Sequence, residues 1–292
     1  MMRIPFKQVD VFTAVPFKGN PVAVILDGKG LTDAQMQRIA DWTNLSETTF
    51  VLPATDPLAD YRVRIFTPGS ELPFAGHPTI GTAHALLEAG LIAAKDGALV
   101  QQCGAGLVRL KVERASDGAQ WIAFDLPEPA ITMLDEGQAQ ELEAILGTPP
   151  DHAAAPCLVD VGARWVVARL PDARAVLAAQ PDLQRMKVQD EKGKHTGVVI
   201  FGMHDQDAQA RIEVRTFAPA HGVAEDPVCG SGNGAVAAYI RRTGQTGTFG
   251  TVFLATQGAA LGRAGVLRLT IANDVIRVSG NAVTVIDGTL SA

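Results

Sequence analysis

Two short segments of this chain carry the same residues at the same spacing: Glu71-Leu-Pro-Phe-Ala-Gly-His77 and Glu225-Asp-Pro-Val-Cys-Gly-Ser231. Glu71 and Glu225, Pro73 and Pro227, and Gly76 and Gly230 coincide at one offset of 154 residues. Each segment runs into a stretch that reads as an apolar helix. Unpaired backbone N–H groups at a helix start attract anions. Pro78 suits the first helical position, where its missing N–H costs nothing. His77 and Ser231 are expected at the cap positions. Gly76, Gly230, Gly232 and Gly234 would let a ligand approach the backbone. The chemistry suggested is recognition of a small carboxylate, or of the negative charge that develops on one.

Acids and bases lie nearby in sequence. Glu47 sits in Asn44-Leu-Ser-Glu-Thr-Thr-Phe50, at the mouth of an apolar strand. Partial desolvation there would raise a carboxyl pKa toward values useful for proton shuttling; a solvated loop residue or a cap is the plain alternative. His77 could donate to a developing oxyanion or simply mark a helix start. Asp226 could orient a substrate or cap its turn. Glu71 and Glu225, being matched, point to shared loop architecture rather than shared chemistry. Cys229 lies where a helix start would stabilise a thiolate. Its counterpart is Ala75, which cannot titrate, so a two-thiol racemase is excluded. Cys229 is then a lone participant or a small packing residue.

Competing motifs fail on context. Gly230-Ser-Gly-Asn-Gly-Ala235 loosely fits a dinucleotide fingerprint, but Glu225-Asp-Pro227 precedes it where a strand is required. No G-x-S-x-G supports Ser231 as a nucleophile. No His, Asp or Glu cluster has metal-ligand spacing, so no metal is expected. Three cysteines are too few and too scattered for a disulfide framework or a Cys-based zinc site.

The elements that must position these residues are mostly strands. Runs such as Val22–Leu26, Thr48–Leu52, Tyr61–Thr67, Gly197–Met203 and Arg211–Phe217 are rich in β-branched residues. Tyr61-Arg-Val-Arg-Ile65 and Arg211-Ile-Glu-Val-Arg215 alternate, the signature of strands with one wet face. Thr32–Trp42 is an amphipathic helix capped by Thr32 or Asp33. Asp135–Leu146 and Asp172–Ala179 read as surface helices. Pro78–Glu88 and Gly234–Arg242 are apolar almost all round, which makes them buried helices, each with a curved sheet around it. Because strands, motif and helix recur in one order, we expect a duplicated domain. The boundaries fall at residues 1–128, joined by a returning strand from 280–292, and residues 129–279.

With 292 residues, 47% of them apolar and 19% charged, the chain can bury a core for two domains. The net charge of −6 and the lack of a basic stripe argue against nucleic acid or an acidic membrane surface as partner. No run of about 18 apolar residues spans a bilayer. Residues 1–7 lack a leader's apolar centre, so a cytoplasmic location is expected.

Taken together, Gly19-Asn-Pro21, Asn44-Leu-Ser-Glu-Thr-Thr-Phe50, Phe66-Thr-Pro68, Glu71-Leu-Pro-Phe-Ala-Gly-His-Pro-Thr79, Glu225-Asp-Pro227, Gly230-Ser231, Gln257-Gly258 and Gly262-Arg263 resemble the PhzF family. These are phenazine-biosynthesis-like isomerases, akin in fold to diaminopimelate epimerase and proline racemase. The resemblance covers nearly the whole chain. It implies an α+β protein of two similar domains related by a pseudo-twofold axis, each a mixed, highly curved sheet (a barrel or roll) wrapped around a central helix, with the active site in the interdomain cleft. It also implies a homodimer and cofactor-free proton transfer on a small carboxylic acid. Carried over by motif, Glu47 is the acid/base and Asp226 belongs to the turn of the second half; His77 and Asp226 join Glu47 as candidate catalytic residues. Gly76 and His77 form the first substrate-binding turn; Cys229, Gly230 and Ser231 belong to the second. Family members usually have Thr where this chain has Cys229, and related epimerases have a catalytic Cys there. Two alternatives therefore stand beside the isomerase: an amino-acid or hydroxy-acid epimerase using Cys229 or Glu47, and a non-catalytic metabolite-binding protein.

Overall fold

The computed structural model describes residues 2–116, 118–151 and 155–292. They form two compact units, Met1–Asp125 with Ser279–Ala292, and Leu126–Val278. The first unit contains β1 (Arg3–Val11), β2 (Asn20–Ile25), α1 (Asp33–Thr43), β3 (Thr48–Leu52), β4 (Tyr61–Phe66), β5 (Glu71–Leu72), α2 (Gly76–Glu88), β6 (Ala98–Cys103), β7 (Gly106–Arg114) and β8 (Gln120–Asp125). The second contains β9 (Ala130–Met133), α3 (Glu136–Leu146), β10 (Cys157–Asp160), β11 (Arg164–Arg169), α4 (Ala173–Ala178), α5 (Leu183–Gly193), β12 (Gly197–Met203), β13 (Ile212–Ala218), β14 (Val223–Asp226), α6 (Gly230–Arg242), α7 (Thr246–Phe249), β15 (Val252–Gln257) and β16 (Gly265–Ile271). β17 (Ile276–Gly280) follows, and β18 (Ala282–Ser291) returns to run antiparallel to β1.

Pairing repeats from unit to unit. In the first, β18, β1 and β2 are successively antiparallel, β2 and β3 are parallel, β3 and β4 antiparallel, and β4 takes the short antiparallel β5 and the parallel β6, which pairs with antiparallel β7. In the second, β9, β10, β11, β12, β13, β14, β15 and β16 repeat that succession of directions step for step. Each sheet is therefore mixed. The parallel step is bridged by helices: α1 between β2 and β3, α4 and α5 between β11 and β12.

Helix α2 touches β1, β2, β3, β8 and β18, strands from both ends of its sheet, so the sheet curls around it. Ile80, Ala83, Ala85 and Leu86 are buried on that helix. Helix α6 lies against β10, β11, β12 and β16, with every residue from Gly232 to Ile240 buried. An all-round apolar helix can be satisfied only by such enclosure. Among the described residues no helix is long and apolar enough to cross a membrane.

Several expectations need correction. Helix α2 begins at Gly76, so Pro78 is its third residue and Ala75, not His77, is the cap. Proline is still accommodated, because N–H groups of the first turn have no intrahelical acceptor. Helix α6 begins at Gly230, and its cap is Cys229 rather than Ser231. The segment Ala173–Ala178 is not a plain surface helix: Ala173 and Val176 are buried and α4 packs on β12 and β13. That cover also removes the wet face expected of the second alternating strand, since β13 is buried along its whole length. Helix α5 went unread. Only Leu183, Met186 and Val188 of its 11 residues are apolar, too few for a full apolar stripe, but Asp182 caps it by accepting from the Gln184 and Arg185 N–H groups.

Candidate active site

In the first unit, Glu47 and His77 come together. Glu47 precedes β3, and His77 is the second residue of α2. Their side chains approach to 3.3 Å, Oε2 to Nε2, a close polar contact without the alignment of a full hydrogen bond. Side-chain exposure is 16% for Glu47 and 6% for His77, so water screens the pair little. Burial holds the imidazole neutral down to a pKa of about 3, against the modest opposing effect of a hydrogen bond to the Pro21 backbone. The acceptor there is the Pro21 carbonyl, because proline has no N–H.

The loop leading into β2, which carries Pro21, is tightly built. The Gly19 N–H donates to Asp10 Oδ2 at 3.0 Å. A side chain at Gly19 would lie 2.1 Å from the Val11 carbonyl oxygen, so glycine is required. Gly76 answers a packing need as well: a Cβ there would lie 2.6 Å from the Phe124 ring. Ala75 offers no side-chain acceptor to the first turn of α2.

In the second unit, Asp226, Cys229, Gly230 and Ser231 lie along one turn. Asp226 Oδ1 accepts from the Val228 N–H at 3.1 Å. Burial raises its pKa to about 6, opposed by hydrogen bonds from Val228 and Cys229. Cys229 Sγ accepts from the Gly232 N–H at 3.3 Å and lies 3.5 Å from Ser231 Oγ. Ser231 Oγ in turn accepts from Trp165 Nε1 at 3.1 Å. The thiol is pushed well above its ordinary range, first by burial and then by the neighbouring Asp226. The expected stabilisation of a thiolate at this helix start is thus outweighed, and Cys229 keeps its proton. A Cβ at Gly232 would lie 2.8 Å from Thr216 Oγ1 and one at Gly234 2.5 Å from Leu126, so both glycines answer packing needs.

Sequence reasoning missed three members of this second turn. Gln257 Oε1 accepts from the Cys229 N–H (3.1 Å) and from Asn233 Nδ2 (2.8 Å), while Gln257 Nε2 donates to the Asp226 carbonyl (2.9 Å). Trp165 lies on β11, in no motif. Gln257-Gly258 was visible as a motif, and Asn233 stands inside the glycine run; neither reveals a partner from local sequence.

A family model described as phenazine biosynthesis-like protein (PhzC-PhzF) matches residues 9–288. Antisense-enhancing sequence 1 of Schizosaccharomyces pombe is 42% identical over 97% of both chains. Trans-2,3-dihydro-3-hydroxyanthranilate isomerase of Pseudomonas fluorescens is 36% identical, again over 97% of both. The crystal structure of a PhzF-family phenazine biosynthesis protein from Bacillus anthracis superposes with a TM-score of 0.86 at 25% identity, covering 100% of each chain.

Proposed function

This chain belongs to the phenazine biosynthesis-like family and is an isomerase, and we propose that it moves a proton between carbons of a small carboxylic acid without a cofactor, with Glu47 as acid and base. The Glu47–His77 contact carries this assignment. A carboxyl largely withdrawn from water beside a neutral imidazole can accept a proton and give it back without the pair locking as two full charges.

In the proposed cycle the Glu47 carboxylate takes a proton from a carbon activated by a neighbouring carbonyl or double bond. The electron pair spreads into the conjugated system as the double bond shifts. Protonated Glu47 then returns the proton to another carbon, so no net redox change occurs. His77 Nε2 accepts a hydrogen bond from Glu47 while the carboxyl carries the proton. The N–H groups of Gly76 and His77, in the first turn of α2, face the substrate's negative charge. Asp226, Cys229, Gly230 and Ser231 take the binding role in the second turn. The relative from P. fluorescens is named for an anthranilate-type carboxylate, which makes a ring-bearing acid the first substrate to try.

Proton exchange in D₂O tests the assignment. Candidate acids, beginning with trans-2,3-dihydro-3-hydroxyanthranilate, are incubated with the protein and their C–H signals followed by NMR. We expect deuterium to enter the substrate with the wild-type chain and to be abolished in Glu47→Gln. Exchange surviving in Glu47→Gln but lost in Cys229→Ala would transfer the role to the thiol. Tight binding with no exchange would make this a metabolite-binding protein.

A further inference from the structure

The two units repeat one three-way joint that motif reading left out. In the first, Arg64 on β4 donates from Nε and Nη2 to the two carboxylate oxygens of Glu71, both at 2.7 Å. Its Nη1 reaches Asp33 Oδ1 at 2.5 Å, and its guanidinium lies 5.1 Å from the centre of the Phe66 ring. Asp33 opens α1, the helix whose far end leads to Glu47. The same helix is strapped a second time, through Gln37 Nε2 to the carbonyls of Thr67 (2.9 Å) and Pro68 (3.0 Å).

In the second unit Arg215 on β13 does the same. It donates to Glu225 Oε1 and Oε2 at 2.9 and 2.8 Å and lies 5.0 Å from the centre of the Phe217 ring. Its Nη1 donates to the Val176 and Ala179 carbonyls at 3.1 and 2.6 Å, at the end of α4. In both units, then, one guanidinium joins the strand, the acidic residue that opens the turn, and a helix of the parallel crossover. Only a planar fork satisfies a bidentate carboxylate and a third partner together; an ammonium cannot.

We propose that Arg64 and Arg215 are matched positioning residues, each fixing the turn of its own unit so that Glu47 meets His77 in one and Ser231 meets Trp165 in the other. The consequence for turnover rests on the proposed isomerase function; the joints themselves do not. Small misplacements of a reacting group are costly, on the order of 100-fold in rate for about 1 Å.

The test uses the full chain and variants Arg64→Lys and Arg215→Lys, which keep the charge and lose the fork. Glu71→Gln and Glu225→Gln stand in if either lysine variant does not fold, as judged by thermal melting. Two probes need no substrate: the ¹⁵N signals of the His77 imidazole and the indole N–H signal of Trp165. Each variant is expected to move the probe of its own unit. In Arg64→Lys the deuteration kcat should fall on the order of 100-fold, with KM changed by no more than roughly threefold, whereas in Arg215→Lys, whose turn binds, KM should rise and kcat fall by less than about tenfold. Folded variants whose own probes and rates match wild type would overturn the proposal. If the probes move as expected but the wild-type chain deuterates no acid, the positioning role stands and the isomerase assignment falls.

Discussion

At the start of α2 a neutral histidine lies 3.3 Å from a largely buried carboxyl, and the helix cap is an alanine with no side-chain acceptor. At the corresponding start of α6 a serine accepts from a buried tryptophan, and a cysteine closes the helix by accepting from Gly232. The supporting parts are alike: the same succession of strand directions, the same acidic residue opening the turn, the same arginine fork, the same aromatic ring beneath it. What differs is the polar equipment. The first turn keeps a proton donor and acceptor within reach of each other. The second spends its polar groups on one another, through Gln257, Asn233 and Cys229. The two units thus keep one scaffold and differ in the polar groups of their turns.

The largest expected difference between the turns is in rate. His77→Gln should slow substrate deuteration by on the order of 100-fold, within the range for lost acid–base assistance. Ser231→Ala should slow it by less than about tenfold, since that hydroxyl is already engaged by Trp165. NMR-followed exchange in D₂O measures both, and equal losses would erase the division of labour.

The arginine forks should separate next. Arg215 is 7% exposed and Glu225 has little access to water, so Arg215→Met strands a buried carboxylate. A loss of about 3–5 kcal/mol in urea unfolding is expected. Arg64 binds Glu71 and the exposed Asp33, and Arg64→Met should cost about 1 kcal/mol. Similar costs would mean that the two joints are equally shielded from water.

Acid should pull the turns in opposite directions. His77 has a folded pKa of about 3, below its ordinary 6.5, so its contribution is complete above pH 6.5 and is lost as pH falls toward 3. Asp226 is raised from 3.8 to about 6, so its contribution is complete below pH 3.8 and is lost as pH rises through 6. From pH 4 to pH 7, Asp226→Asn should therefore gain on wild type by up to about 3 kcal/mol, while His77→Gln should lose ground. Urea titrations at pH 4, 5, 6 and 7 read both slopes. The smallest effect belongs to the cap: Cys229→Ala removes the acceptor for Gly232 and should cost about 1 kcal/mol in the same assay.

Much of this frame is legible in the sequence because burial writes itself into composition. The helices α2 and α6 are apolar on every face, and only enclosure explains that. The 154-residue offset likewise exposes the repeated turn. Long-range polar pairing leaves no such trace. Arg64 and Arg215 look like the wet side of alternating strands, and only the fold shows each bound to a glutamate seven or ten residues on and to a helix from the crossover. The Cys229 thiol misled for a related reason. A helix start favours its anion, but the depth of burial, which decides the outcome, cannot be read from neighbouring residues. Helix α5 escaped because a polar helix held by a cap and one buried methionine has almost no periodic signal.

The most direct measurement is a pH titration of the His77 imidazole by ¹⁵N NMR in the intact chain. A ring that stays neutral in a single tautomer until the pH nears 3, with signals that shift in Glu47→Gln, is the predicted result. A ring that takes up its proton near pH 6.5 and ignores Glu47→Gln would contradict the pairing of a neutral histidine with the Glu47 carboxyl.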